Sequence, residues 1–295
     1  MNDFHSGYCV IIGRPNVGKS TLLNTLLSFK LSAVTSKPQT TRNKILGILN
    51  GDGFQIIFVD TPGLLTPKYE LQRIMQNEIR EAITTADLFL FVVEPFSPPD
   101  KDEIHTIEQI ITKPTLLAIN KIDLVEKANL LPVIQEYQKF PFKEVHPISA
   151  LKNTGLEELK QNIINNAPIG QPYYPQDQIT ERPERFFVAE IIRENIFKYY
   201  GEEIPYCTFV EIEEFKERKA GKNYIRAVIF VERATQRAII LGKGGQAIKR
   251  LGSIARANIE QFLNRSVYLE LIVKVKEEWR DNKSFIREKF YEREV

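Results

Sequence analysis

The stretch Gly13-Arg-Pro-Asn-Val-Gly-Lys-Ser20 fits the spacing G-x-x-x-x-G-K-[ST] and lies between an apolar run and a helical pattern, the context a phosphate-binding loop requires. Glycine at 13 and 18 admits backbone conformations closed to other residues. Successive amide N–H groups can then face one anion, and the start of the following helix adds partial positive charge. Lys19 is expected to reach the β- and γ-phosphates, and Ser20 to bind Mg²⁺ through its hydroxyl. The chemistry implied is the binding and hydrolysis of a nucleoside triphosphate.

Three later motifs sharpen the base and the metal. Asp60-Thr-Pro-Gly63 follows an apolar run, so Asp60 is placed to hold the metal through water and the Gly63 amide to meet the γ-phosphate. Asn120-Lys-Ile-Asp123 follows another. The carboxylate of Asp123 can accept paired bonds from guanine N1–H and N2–H₂, a donor pair that adenine lacks, so the nucleotide is read as GTP. Asn120 is expected to tie this loop to the phosphate loop, with the Lys121 stem over the base. Ser149-Ala150-Leu151 closes the set, the Ala150 amide facing guanine O6. The nucleotide-contact set is thus Gly13, Arg14, Pro15, Asn16, Val17, Gly18, Lys19, Ser20, Thr21, Asp60, Thr61, Pro62, Gly63, Asn120, Lys121, Asp123, Ser149, Ala150 and Leu151. Within Lys37-Pro-Gln-Thr-Thr-Arg-Asn43 a threonine should complete the metal shell: Thr41, with Thr40 as the runner-up. The metal set is Ser20, Thr41 and, through water, Asp60.

Catalysis departs from the pattern of Ras-type enzymes. After Gly63 stands Leu64, where those enzymes carry the glutamine that orients the attacking water. Asn16 occupies the phosphate-loop position at which related GTPases bind potassium, an ion able to neutralise developing phosphate charge; bracing the loop is its alternative role. The catalytic set is Asn16, Lys19, Thr41 and Gly63, with Mg²⁺ as cofactor and K⁺ as a second candidate. His5, His105 and His146 fall in none of these motifs and are read as ordinary surface or core residues.

The elements that must position these residues follow from apolar periodicity. Tyr8–Ile12, Gln55–Val59, Leu88–Val93, Thr115–Ile119 and Glu144–Ile148 read as strands, Lys44–Leu49 as an added edge strand, and Lys19–Ser28 and Tyr69–Thr84 as helices. Alternation of this kind predicts βαβ units around a mostly parallel sheet covered on both faces. A proline-rich stretch from Ala167 then reads as an interdomain linker. Beyond it the order is α-β-β-α-α-β: a helix over Glu184–Tyr200, strands over Tyr206–Phe215 and Tyr224–Glu232, helices over Thr235–Leu241 and Gln246–Leu263, a strand over Val267–Val275, and a charged helix from Glu277. The domains are therefore 1–170, a linker at 171–183, and 184–295.

The second domain carries Gly242-Lys-Gly-Gly245 between two predicted helices. A KH module grips about four single-stranded nucleotides with such a GXXG loop. No acidic residue occurs between Glu232 and Glu260, whereas Arg233, Arg237, Lys243, Lys249, Arg250 and Arg256 all do; phosphate contacts require that local sign. The RNA-binding set is Arg237, Gly242, Lys243, Gly244, Gly245, Lys249, Arg250 and Arg256.

Composition agrees with an ordinary globular chain: 295 residues, 43% hydrophobic, 26% charged, formal charge +2. The overall charge does not by itself argue for nucleic acid. The two cysteines, Cys9 and Cys207, suggest neither a disulfide framework nor a zinc site, and Cys9 reads as a core hydrophobe. The N-terminus lacks signal-peptide features and no apolar run reaches membrane-spanning length, so a cytoplasmic monomer is expected.

GRPNVGKS, KPQTTRN, DTPG, NKID, SAL and ILGKGGQAIK, as they stand here, make the chain resemble the bacterial Era GTPases over essentially its whole length. The resemblance implies a Ras-like, translation-factor-related GTPase domain followed by a type II KH domain. It also implies an assembly factor for the small ribosomal subunit that binds near the 3′ end of its RNA, with peripheral association with the inner membrane as a further location. Two other classes stay open at this point. One is a signalling or membrane-associated GTPase whose C-terminal domain binds protein or lipid. The other is an RNA-binding module in which nucleotide serves structure alone.

Overall fold

The computed structural model describes residues 3–64, 67–218 and 220–290. They form two compact units, one of residues up to 64 together with 74–181, the other of 67–73 together with 182–290. The first contains β1 (His5–Ile12), α1 (Lys19–Leu27), β2 (Ile45–Gly51), β3 (Phe54–Asp60), most of α2 (Glu70–Thr85), β4 (Leu88–Val93), α3 (Lys101–Ile110), β5 (Thr115–Ile119), α4 (Lys127–Tyr137), β6 (Val145–Pro147) and α5 (Leu156–Asn166). Its six strands lie in the order β2-β3-β1-β4-β5-β6. All neighbours are parallel except the edge hairpin β2–β3.

Successive residues of a strand face opposite sides of a sheet, and here both sides are covered. Cys9, Ile11, Phe58, Leu90 and Val92 join a core with Leu22, Leu23 and Leu26 of α1 and Leu159 and Ile163 of α5. Val10, Ile12, Phe89, Phe91 and Ile119 face the other way, into a core with Ala82 of α2, Ile107 and Ile110 of α3 and Tyr137 of α4. Strands buried on both faces must be near-continuously apolar, which is why Leu88–Val93 reads LFLFVV and is buried throughout. In such a sheet the chain leaves the carboxyl ends of the strands into loops, where ligands bind. Gly13, Asp60, Asn120 and Ser149 stand at or just beyond the ends of β1, β3, β5 and β6.

The proline-rich stretch after Ala167 is laid along the first unit. Ser6 N–H donates to Pro168 O (2.9 Å) and Gly170 N–H to Phe4 O (2.9 Å). The buried Gln55 amide accepts from Tyr173 N–H (2.6 Å) and Tyr174 N–H (2.9 Å) and donates to Tyr174 O (2.8 Å). On the outer edge of β2, Ile48 N–H donates to Ile179 O (2.7 Å), which covers part of a strand edge otherwise open to pairing.

The second unit contains α6 (Glu184–Tyr199), α7 (Ile204–Cys207), β7 (Phe209–Lys216), β8 (Asn223–Val231), α8 (Ala234–Leu241), α9 (Gln246–Leu263), β9 (Val267–Val275) and α10 (Lys283–Phe290). Strand β8 is central, antiparallel to β7 and parallel to β9. Ile192 and Ile196 of α6 and Ala255 and Ile259 of α9 pack on Ile212, Ile225, Ala227 and Ile229 of the sheet.

Two elements start well after their expected first residue. The strand expected from Tyr206 begins at Phe209, because Ile204–Cys207 close a helical turn with Pro205 at its start. Proline has no N–H for a ladder but suits a first helical turn. The helix expected from Glu277 begins at Lys283. Before it the chain turns, with Glu278 at φ +50°, to bury Trp279, whose Nε1–H donates to Cys207 O (2.8 Å). Both cysteines are buried, and burial pushes the Cys9 thiol far above its ordinary range.

Candidate nucleotide site and basic loop

Gly18, at φ +100°, begins α1. A Cβ there would stand 2.2 Å from Asn120 Nδ2, and one at Gly13 would stand 2.2 Å from Val92 O. The loop therefore closes only with glycine at both places. Lys19 curls back over it, its Nζ donating to Gly13 O and Arg14 O, both at 2.9 Å. Burial pulls this lysine down to about 8, against the opposing pull of Asp60. Its charge is held in a buried place that triphosphate oxygens would stabilise.

Beside Lys19, Ser20 Oγ donates to Asp60 Oδ2 (2.6 Å) and stands 2.9 Å from Thr41 Oγ1. Thr40 is turned away, its Oγ1 2.6 Å from Thr35 Oγ1 and donating to Lys37 O at 2.7 Å. Burial pushes the Asp60 carboxyl up, opposed by Lys19 and by the hydroxyls of Ser20, Ser32 and Thr41. Asp60 Oδ1 is buried and without a hydrogen-bond partner, an unusual state for a carboxylate oxygen. Two hydroxyls and one carboxylate with a buried, unpaired oxygen fit a magnesium ion, which prefers hard oxygen ligands and keeps several waters. Ser20, Thr41 and, through water, Asp60 would hold it, and the ion would neutralise phosphate charge.

Thr61 Oγ1 donates to Ile11 O (2.9 Å), fixing the turn out of β3. Gly63 passes directly over the phosphate loop: a Cβ on it would stand 2.8 Å from the Cα and N of Pro15. Leu64 N–H reaches Gly13 O at 3.4 Å. Residues 65 and 66, which follow Leu64, lie outside the described residues.

The base-reading loops are tied to this frame. Asn120 Nδ2 donates to Val17 O (2.8 Å), and Lys121 Nζ donates to Asn16 O (2.7 Å) and pairs with Glu94. Asp123 is exposed and accepts from Ser149 Oγ (2.6 Å), a contact that orients the carboxylate. The Ala150 N–H, expected to face guanine O6, donates to Asn120 Oδ1 (2.9 Å). Leu151 is 75% exposed, and Thr21 uses its carbonyl to hold Thr25 Oγ1 (2.9 Å) inside α1.

Two members of the expected set do something else with their side chains. Arg14 turns from the loop to pair with Asp100 and, at 3.5 Å, with Glu103 of α3. Asn16, in the left-handed region at φ +67°, donates its Nδ2 to Ser36 O (2.9 Å). Sequence reading missed Glu94, Asp100 and Glu103. Only the last two left a signal, the capping box Asp100-x-x-Glu103 that starts α3.

In the second unit, Gly242, Gly244 and Gly245 take φ of +68°, +59° and +74°. A Cβ at Gly242 would stand 2.6 Å from Ala247 Cβ, whereas Gly244 and Gly245 face open space. The turn thus offers bare backbone to solvent at the start of α9, with Lys243 exposed within it, Lys249 exposed in the first turns of α9 and Arg256 exposed farther along that helix. Arg237 and Arg250 are partly engaged: Arg237 Nε donates to Val273 O (3.2 Å), and the Arg250 guanidinium lies 5.8 Å from the centre of the Tyr199 ring.

Family comparisons align with this division. A model described as a 50S ribosome-binding GTPase matches residues 8–121, and one described as a KH domain matches residues 203–280. GTPase Era of Geotalea uraniireducens strain Rf4 is 46% identical over 292 residues, 98% of each chain. The chloroplastic GTPase ERA-like protein of Oryza sativa subsp. japonica is 44% identical over 98% of this chain and 70% of its own. Among solved structures, an Aquifex aeolicus Era variant bound to GDP and AlF4⁻ superposes with a TM-score of 0.93 at 39% identity, covering 98% of this chain and 99% of that one. Era in complex with MgGDPNP and nucleotides 1506–1542 of 16S ribosomal RNA gives the same values.

Proposed function

The chain belongs to the Era family of GTPases, and we propose that it uses GTP to govern the binding of ribosomal RNA during assembly of the small ribosomal subunit. It is a GTP hydrolase with a Ras-like fold followed by a KH domain. The domain limits we adopt are 1–170 for the GTPase domain, 171–183 for the connection and 184–295 for the KH domain. The observation that carries the RNA reading is the bare, cationic glycine turn at Gly242–Gly245, whose open backbone suits close phosphate approach. The likeness to an Era structure that holds MgGDPNP and a 16S fragment supports RNA as ligand and Mg²⁺ as cofactor. It favours this reading over a protein or lipid ligand for the second domain.

In this reading Lys19 and the loop amides bind the phosphates, Asp123 selects guanine, and Ser20, Thr41 and Asp60 hold the metal. Leu64 offers no polar atom to an attacking water. We assign part of the missing stabilisation to a potassium ion that Asn16, whose Nδ2 donates to Ser36 O, would help to hold. The protein works as a monomer in the cytoplasm. No helix among the described residues is long and apolar enough to cross a membrane, and contact with the inner membrane would be peripheral.

The test is the double variant Lys243→Asp, Gly244→Asp, which places two carboxylates where phosphates are to sit. Affinity for single-stranded RNA from the 3′ end of the small-subunit RNA should fall by more than about tenfold, with GTP binding intact. Unchanged RNA affinity would argue against the clamp.

A further inference from the structure

Ser32 lies between α1 and the Lys37–Asn43 segment and is only 1% exposed. One side chain clamps its backbone at two points and that of Leu31 at a third. Asn24 Oδ1 accepts from Leu31 N–H and Ser32 N–H, both at 2.9 Å, and Asn24 Nδ2 donates to Ser32 O at 2.9 Å. Asn24 belongs to α1, the helix whose first two residues are Lys19 and Ser20. The same rigid element thus presents the metal-binding hydroxyl and fixes the place of Ser32.

The Ser32 hydroxyl lies beside the Asp60 carboxylate and favours its charged form, yet Ser32 Oγ and Asp60 Oδ1 are both buried without a hydrogen-bond partner. Leaving a buried polar atom unpaired costs about 1–3 kcal/mol, so neighbouring orphans point to a shared third partner. A hydroxyl can accept as well as donate, and a carboxylate oxygen only accepts; a metal-bound water, with two hydrogens to give, satisfies both. Asn24 holds the Ser32 backbone in place, which keeps the hydroxyl within reach of that partner.

We propose that Ser32 positions the magnesium ion, its hydroxyl and Asp60 Oδ1 together holding one water of the ion's hydration sphere. The proposal rests on the reading of Ser20, Thr41 and Asp60 as the metal site. It adds a residue that touches neither phosphate nor base and acts through Asp60 and water. Loss of such a partner commonly weakens metal binding by roughly 10–100-fold.

The test compares wild type with Ser32→Ala, following release of a fluorescent GDP as free Mg²⁺ is varied. The variant should need about tenfold more Mg²⁺ to slow release, while release in EDTA matches wild type. Melting of the nucleotide-free protein in EDTA should not be lowered, because the substitution removes an unpaired buried hydroxyl. An unchanged Mg²⁺ requirement overturns the proposal. So does faster release in EDTA or a lowered melting temperature, since either marks a packing role. Wild-type release that ignores Mg²⁺ altogether would instead sink the metal assignment on which the proposal stands.

Discussion

At the scale of single residues, the nucleotide site was legible where chemistry imposes a fixed spacing along the chain. Glycines at 13 and 18 are needed for backbone reasons, and Lys19 and Ser20 must follow at once. Asp123 must stand three residues after Asn120 for the two to serve base and loop. Spacing says nothing of side chains that meet only in three dimensions. Ser32 and Glu94 belong to no string, and Arg14 sits within the string while its guanidinium serves α3. Asn16 is the residue whose role is most open to experiment. Its side chain bridges to Ser36 O, and Leu64 leaves the water-orienting position without a polar group. If a monovalent cation supplies charge stabilisation there, hydrolysis should run at least about tenfold faster in K⁺ than in Na⁺ at equal ionic strength, since one such interaction is worth 10²-fold or more. Asn16→Ala should erase most of that difference. Equal wild-type rates in the two salts would leave Asn16 with the bracing role alone.

At the scale of elements, long periodic runs were readable and their ends only in part. Gln246–Leu263 and Val267–Val275 stand in the structure with the bounds expected, because strong periodicity meets a glycine turn before one and a breaker before the other. Strand β7 and helix α10 start later than expected, because Pro205 and the burial of Trp279 override the local pattern. Strand β6 carries a further consequence, as it leads into Ser149 and Ala150. Its His146 is 4% exposed, and burial lowers its pKa although Glu144 and Glu158 oppose the shift. The folded state therefore keeps this imidazole neutral where the unfolded chain, with a pKa of about 6.5, takes up a proton. The unfolded state binds more protons below that value, so stability is lost as the pH falls through about 6.5 toward the folded pKa. Between pH 7.5 and 5.5 the melting temperature of wild type should fall further than that of His146→Gln. Identical losses would show that His146 has no part in acid sensitivity.

At the scale of the whole molecule, the sequence announced two units but not how many times the chain passes between them. Residues 67–73 group with the second unit and 74–181 with the first, so the chain crosses three times, and the first crossing comes only a few residues after Gly63. The γ-phosphate contact proposed for Gly63 would thus lie only a few residues along the chain from the second unit. A switch of this kind is a coupling free energy, and coupling must be reciprocal. If a GTP analogue raises affinity for RNA by some factor relative to GDP, saturating RNA must raise the preference for the GTP analogue over GDP by that same factor, commonly 5–150-fold. Two titration series, RNA against each nucleotide form and each nucleotide against RNA-saturated and free protein, give the two ratios independently. We expect them to agree and to exceed about fivefold, and to vanish together in the Lys243→Asp, Gly244→Asp variant, whose nucleotide site is untouched. Ratios of one in both series would mean that nucleotide and RNA bind one chain without reporting to each other, and the GTPase would have to act on assembly by some route other than control of RNA affinity.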